Sequence, residues 1–234
     1  MNAPHRGVYP VGTLTLSELE DEIRSNLGGR TDLDSRLSRF INFAQDMICR
    51  QYEFPELEQK TTDTVAEGDE VYVLSSRPRS IRSVRILDGT LSRKLEYIPI
   101  RTWDTLIPKP DEWTQERPTH YTYYQNKIEL WRIPNDSYTI VIRWSKWPAA
   151  LSDSGDKSDY DNKDDIIIAL ATAWAFKSLG EKERMYFWAN SAWSQLRASI
   201  LSEDQQPDRG IVPVPEIKTI LGDYWKDPFI KGVR

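Results

Sequence analysis

The sequence predicts an α+β fold in which a helical bundle is built from both ends of the chain, an antiparallel β region is inserted between its halves, and an extended tail closes the C-terminus. Apolar residues recur at helical spacing between Leu14 and Pro55, alternate from about Lys60 to Pro148, and return to helical spacing after Asp164. Past Glu203 the periodicity stops, and Pro207, Pro213, Pro215 and Pro228 keep the chain extended. The expected divisions are an N-terminal arm over 1–13, a bundle from 14–59 and 152–204, a β domain over 60–151 and a tail over 205–234.

The arm carries Pro4, Gly7, Pro10 and Gly12 and no periodic pattern. Thr15 and Glu18 make a capping-box pair, after which Leu16, Leu19, Ile23 and Leu27 mark a helix ended by Gly28 and Gly29. Thr31 or Asp32 is the expected cap of a second helix with the stripe Leu33, Leu37, Phe40, Ile41, Ala44 and Ile48, stopped by Pro55. Cys49 beside that stripe reads as a small buried hydrophobe, because Arg50 is its one evident basic neighbour.

In the β region Val71, Val73, Ile81, Val84, Ile86, Leu95 and Tyr97 mark short strands. Arg77, Arg79, Arg82, Arg85, Arg93, Lys94 and Arg101 outnumber Asp88 and Glu96, which reads either as a solvated sheet face or as contact with an acidic partner or passing DNA. Thr102 to Ile107 suits one helical turn, and the loop Pro108 to Pro118, with Trp113, is a candidate contact surface. Pro118 to Pro148 predicts a three-strand antiparallel meander of Tyr121–Tyr124, Lys127–Ile133 and Tyr138–Trp144. It turns at Gln125-Asn126, where Asn tolerates positive φ, and at Pro134 to Ser137. Ile128, Leu130 and Arg132 share one face, and Tyr138, Ile140, Ile142 and Trp144 share another.

Ser152 to Asp165 reads as an exposed linker, with Asn162 capping the next helix and Asp164 and Asp165 favoured at its positive end. Its run of aspartates has the outline of a calcium loop but lacks Gly at the sixth and Glu at the twelfth position. The run from Ile166 to Leu179 is apolar on nearly every side and predicts a helix buried all round, stopped by Gly180. A last helix from about Glu181 to Leu201, with the buried stripe Tyr186, Ala189, Trp193, Leu196 and Ile200, completes an antiparallel hairpin. In the tail, Tyr224, Trp225, Phe229 and Ile230 form an apolar tip that either folds back on its own domain or docks on a partner.

With 234 residues the chain can bury a sizeable core. The formal charge of −5 argues against a general DNA or anionic-membrane binder. One cysteine permits no intrachain disulfide, which points to assembly in a reducing compartment. No secretory leader is legible at the N-terminus, and the longest apolar run, Ile166 to Ala171, is too short to span a bilayer. Nine tryptophans and eleven tyrosines suit extensive protein contacts. Two histidines and one cysteine do not make a zinc site, and Gly28-Gly29-Arg30 is no phosphate loop. No catalytic, metal or cofactor-binding residue is singled out.

The order of segments carries more. A helix ending in LGGR, a helix closing on YEFPELE, a β region with Asp88-Gly89, the stretch PTHYTYYQNKIELWRIP, and IRWSKWPAALSD leading into a helical pair resemble head-to-tail adaptor proteins of tailed bacteriophages, those of short-tailed phages most closely. The resemblance covers residues 14 to 203. It implies a structural virion protein without a cofactor, in a homo-oligomeric ring of twelve copies between the portal protein and the tail nozzle protein. Double-stranded DNA would pass through its channel without sequence-specific binding. It also implies a place in the virion neck and assembly in the host cytoplasm. Two other readings are a carbohydrate-binding module, using Trp and Tyr of the meander as stacking platforms, and a cell-wall lytic protein.

Overall fold

The computed structural model describes residues 12–89, 91–107 and 114–204. It is a mixed α+β chain, and its described residues form five α-helices and two four-stranded sheets. Helix α1 (Leu16–Asn26) opens on the expected capping box, in which the Thr15 side chain accepts from the Glu18 N–H and the Glu18 carboxylate accepts from the Thr15 N–H at 2.8 Å. Helix α2 (Asp34–Gln51) corrects the expected cap. Its N-cap is Leu33, without a side-chain hydrogen bond, because the Asp32 carboxylate is already held by Arg30 at 2.9 and 3.0 Å. The apolar stripes of both helices are buried as expected, Cys49 included, and burial pushes the Cys49 thiol pKa up.

Helix α3 (Ile100–Leu106) is a short element against the β region, and helix α4 (Asp164–Leu179) follows that region. Helices α1, α2 and α4 touch one another pairwise. Ile166, Ile167, Ala169, Leu170, Thr172, Ala173 and Phe176 are all buried, so α4 is covered on nearly every side, as its uniform apolarity predicts. Gly180 ends it at φ 77°, a conformation that favours glycine. The chain divides after Ala192 into two compact units, inside helix α5 (Lys182–Asp204). In the first unit Tyr186 is 60% exposed, which corrects the expected stripe. Ala192 is the buried position there, and Tyr186 lies six residues before it, about a third of a turn round the helix. In the second unit Leu196 is buried as expected.

The strands are β1 (Glu58–Val65), β2 (Val71–Val73), β3 (Ser80–Asp88), β4 (Leu91–Lys94), β5 (Glu96–Tyr97), β6 (His120–Tyr124), β7 (Lys127–Trp131) and β8 (Tyr138–Ser145). One sheet runs β1-β8-β3-β4 and the other β2-β7-β6-β5. The meander is therefore corrected: β6 and β7 form a hairpin, but β8 crosses to the other sheet and lies between β1 and β3. Residues 132–137 are long enough to make that crossing, and β8, buried along most of its length, takes the central place that its apolar content suits. The region is also not wholly antiparallel, since β5 runs parallel to β6. Positive φ at the hairpin falls on Gln125, at 57°, and not on Asn126.

The face assignments of Ile128, Leu130 and the β8 residues hold although the pairing changes, while Arg132 lies past the end of β7. Tyr138, Ile140, Ile142 and Trp144 of β8 and Val84 and Ile86 of β3 meet Ile128 and Leu130 of β7 and Tyr121 of β6 in one core. The two sheets thus close on a shared interior as a sandwich. Buried Leu95 is the single residue between β4 and β5, so the chain changes sheets there in one step. Strand β1, with the sequence EQKTTDTV, carries little apolar pattern and is exposed along most of its length; its place is set by pairing with β8.

Candidate functional site

The expected linker from Ser152 to Asp165 is the first place where the structure departs from the functional reading. Ser158, Tyr160, Lys163 and Asp164 are buried. The Ser158 hydroxyl donates to Gln45 Oε1 at 2.9 Å, and the Tyr160 hydroxyl donates to the Gln45 carbonyl at 3.2 Å. Leu151 and Asn42 exchange two bonds, N–H to Oδ1 at 2.8 Å and Nδ2 to carbonyl at 3.0 Å. Burial raises the Tyr160 phenol pKa well above its ordinary value. The segment is a strap held across α2.

Its aspartates act on their own chain. Asp156 Oδ2 accepts from the Ser152 and Asp153 N–H groups at 2.8 and 2.9 Å, and those bonds hold its pKa below the usual range. Asp159 pairs with Lys146 at 2.6 Å and accepts from the Ala149 N–H. Asp164 Oδ2 accepts from the Thr13 hydroxyl at 2.6 Å and the Leu14 N–H at 3.0 Å, fixing the start of α1 to the start of α4. Asn162 does not cap α4, whose N-cap is Lys163 without a side-chain bond; Asn162 instead takes φ 50°. The Lys163 ammonium binds Glu56 and lies 4.3 Å from the Phe54 ring centre. Among the described residues no group of three or more His, Cys, Asp and Glu is placed to hold a metal ion.

What the subunit leaves uncovered is more informative. On the outer face of the second sheet, register places Val71 opposite Glu129, Val73 and Tyr124 opposite Lys127, and His120 opposite Trp131. Val73 is 60% and Tyr124 51% exposed, and the His120 and Trp131 rings meet edge-on at 5.2 Å. A second apolar patch lies in α5, where Phe187 is 68% exposed beside Tyr186 and meets Trp188 edge-on at 5.8 Å. Phe43 and Trp174, rings 5.9 Å apart, form a further partly exposed pair. The stacking-platform reading fares worse, because Tyr121, Tyr138 and Trp144 are core residues.

Of the residues expected to meet partners, Trp113, Tyr224, Trp225, Phe229 and Ile230 lie outside the described residues. The exposed apolar residues of β2, β6 and α5 were missed by sequence reasoning. Outward Val71 and Val73 carry the same alternation as inward residues, and only the position of β2 on its sheet tells them apart. The basic segment resolves in two ways. Arg79 pairs with Glu53 at 2.7 Å, Arg82 with Glu58 at 2.7 Å, and Arg117 from the following loop with Asp88 at 3.2 Å, whereas Arg85, Arg93, Lys94 and Arg101 stay exposed.

A subunit whose acids serve its own backbone and whose outlying features are apolar patches on separate elements is, as a class, a protein of assemblies. No curated protein matches the chain. The model of the SU10 adaptor protein family matches residues 14–228, and the chain belongs to that family. It is a phage head-to-tail adaptor, a structural protein of the virion neck that assembles with other phage head and tail proteins. Among the described residues no helix is long and apolar enough to cross a membrane.

Proposed function

We propose that the chain forms a ring of twelve copies between the portal protein and the tail nozzle protein, around a channel through which double-stranded DNA passes without sequence-specific binding. A closed ring needs two different, mutually complementary faces on each subunit. The observation that carries the proposal is the presence of separate exposed apolar patches, one on the outer face of the second sheet and one in α5. The protein performs no catalysis in this role. Its helices over 14–59 and 152–204 and its β region over 60–151 serve as a framework, and 205–234 is an assembly tail. The free subunit stays monomeric or weakly associated, because a template must offset the entropy lost on ordering; assembly takes place in the host cytoplasm.

Tyr224, Trp225, Phe229 and Ile230 anchor the tail on the portal or on a neighbouring subunit, with Trp113 as a further contact. Truncation after Asp204 leaves helix content by circular dichroism unchanged and weakens attachment to portal. Trp225→Ala reproduces part of that loss, on the order of 2 kcal/mol by titration calorimetry. If truncation unfolds the subunit, the tail belongs to its own core and this anchoring is wrong.

A further inference from the structure

The outer face of the first sheet is built of cations and hydroxyls around a small apolar centre. Opposite residues of an antiparallel pair share a face, and Val84, Ile86, Ile140 and Ile142 fix which side of this sheet is inward. The outward set is then Lys60, Thr62 and Thr64 on β1; Thr139, Val141 and Arg143 on β8; Ser83, Arg85 and Leu87 on β3; and Ser92 and Lys94 on β4. Lys60 stands opposite Arg143, and Arg85 stands opposite Lys94. Arg143 and Arg85 are diagonal neighbours across β8 and β3. One cation from each strand therefore makes an oblique stripe across four strands, about 14 Å wide at the usual strand spacing.

All four side chains are exposed, and among the described residues none has a carboxylate partner. Glu58, which shares the register of the outward set, is taken by Arg82 at 2.7 Å, and Arg82 also reaches Glu53 at 3.4 Å. Helix contacts to these four strands are absent or sparse among the described residues, yet Val141 at the centre is only 8% exposed. Arg85 and Thr62 stand directly opposite it.

We propose that this face is a contact surface for the phosphate backbone of double-stranded DNA. Cations interleaved with serine and threonine hydroxyls are the groups that bind phosphates. The core of a protein–protein interface is depleted in charge and rich in aromatic side chains, of which this face has none. The overall charge of −5 does not oppose the contact, since at physiological salt charges beyond about 8 Å are largely screened and a duplex here meets the stripe first. Four contacts give weak, sequence-independent binding of a kind that permits sliding. The proposal takes the presence of DNA from the adaptor reading, but the contact belongs to the free subunit and is tested without portal.

The test is fluorescence anisotropy of the full chain with labelled duplexes of about 30 base pairs and two unrelated sequences, at roughly 50 to 200 mM salt. The expected result is equal affinity for both, with a slope of log K on log salt near −3.6 for four phosphate contacts. Arg85→Glu with Arg143→Glu lowers affinity about tenfold or more, while Arg85→Lys with Arg143→Lys retains it, because phosphates take charge of either shape. Arg39→Glu with Arg50→Glu, the same charge change on exposed positions of α2, leaves affinity within about twofold. No binding by the unaltered chain, equal loss in both glutamate pairs, or preference for polyglutamate over the duplex overturns the proposal. The last outcome reassigns the face to an acidic protein, and none of the three touches the family assignment or portal attachment.

Discussion

The two outer faces of the sandwich are built on sheets of equal strand number and share one core, yet they leave opposite chemistries uncovered. The second sheet shows Val71, Val73 and Tyr124, beside the His120 and Trp131 ring pair. The first shows Lys60, Arg143, Arg85 and Lys94 among hydroxyls. The inner faces are fixed by packing, since β-branched and aromatic residues there have no alternative to the shared interior. The outer faces are free of that demand, so their difference is the part of the fold that partners can select.

The largest expected effect removes the basis of the comparison. Leu130→Ala opens a cavity in the core that both sheets share and lowers unfolding free energy by about 3 kcal/mol, read from the urea midpoint. Both faces should fail together. The next variant separates them: Val73→Asp with Tyr124→Asp changes exposed positions, so stability moves by no more than about 0.5 kcal/mol. Association between copies in the ring drops by on the order of 2 kcal/mol while duplex binding is retained. Loss of both functions would mean that the two faces are not independent.

The smallest effect lies away from both faces, in the strap and at the start of α1. Asp156 and Glu18 have folded-state pKa values lowered by backbone N–H groups, of Ser152 and Asp153 in one case and of Thr15 in the other. Groups depressed in the folded state stabilise above their unfolded values, and that contribution is lost as pH falls through the folded ones. The urea midpoint should therefore decline on acidification through and below the ordinary carboxylate range. Asp156→Asn should flatten that decline and leave the midpoint near neutral pH slightly lower.

Periodicity revealed which side chains face inward, and it did so well. Leu16, Leu19 and Ile23, the α2 stripe, the all-round burial of α4 and the inward set of β8 are legible because burial is a local property of spacing. Pairing is not local. Tyr138 to Ser145 carries the same alternation whether it follows β7 in a meander or crosses between β1 and β3. The polar strand β1 acquires its identity from β8 alone. The strap was misread for a related reason: its aspartates look solvated in sequence, and only the fold brings Gln45, Asn42 and the start of α1 within reach of it. The basic segment was visible as composition, but Lys60 and Arg143, far from it in sequence, join Arg85 and Lys94 only through register.

The adaptor reading is tested most directly by single-particle imaging of the full chain mixed with the portal protein of its own phage. The account predicts a closed ring of twelve copies seated on the portal, with Val73 and Tyr124 buried against protein and a central opening wide enough for a duplex. A chain that remains monomeric beside intact portal, and binds glycan instead, would contradict it.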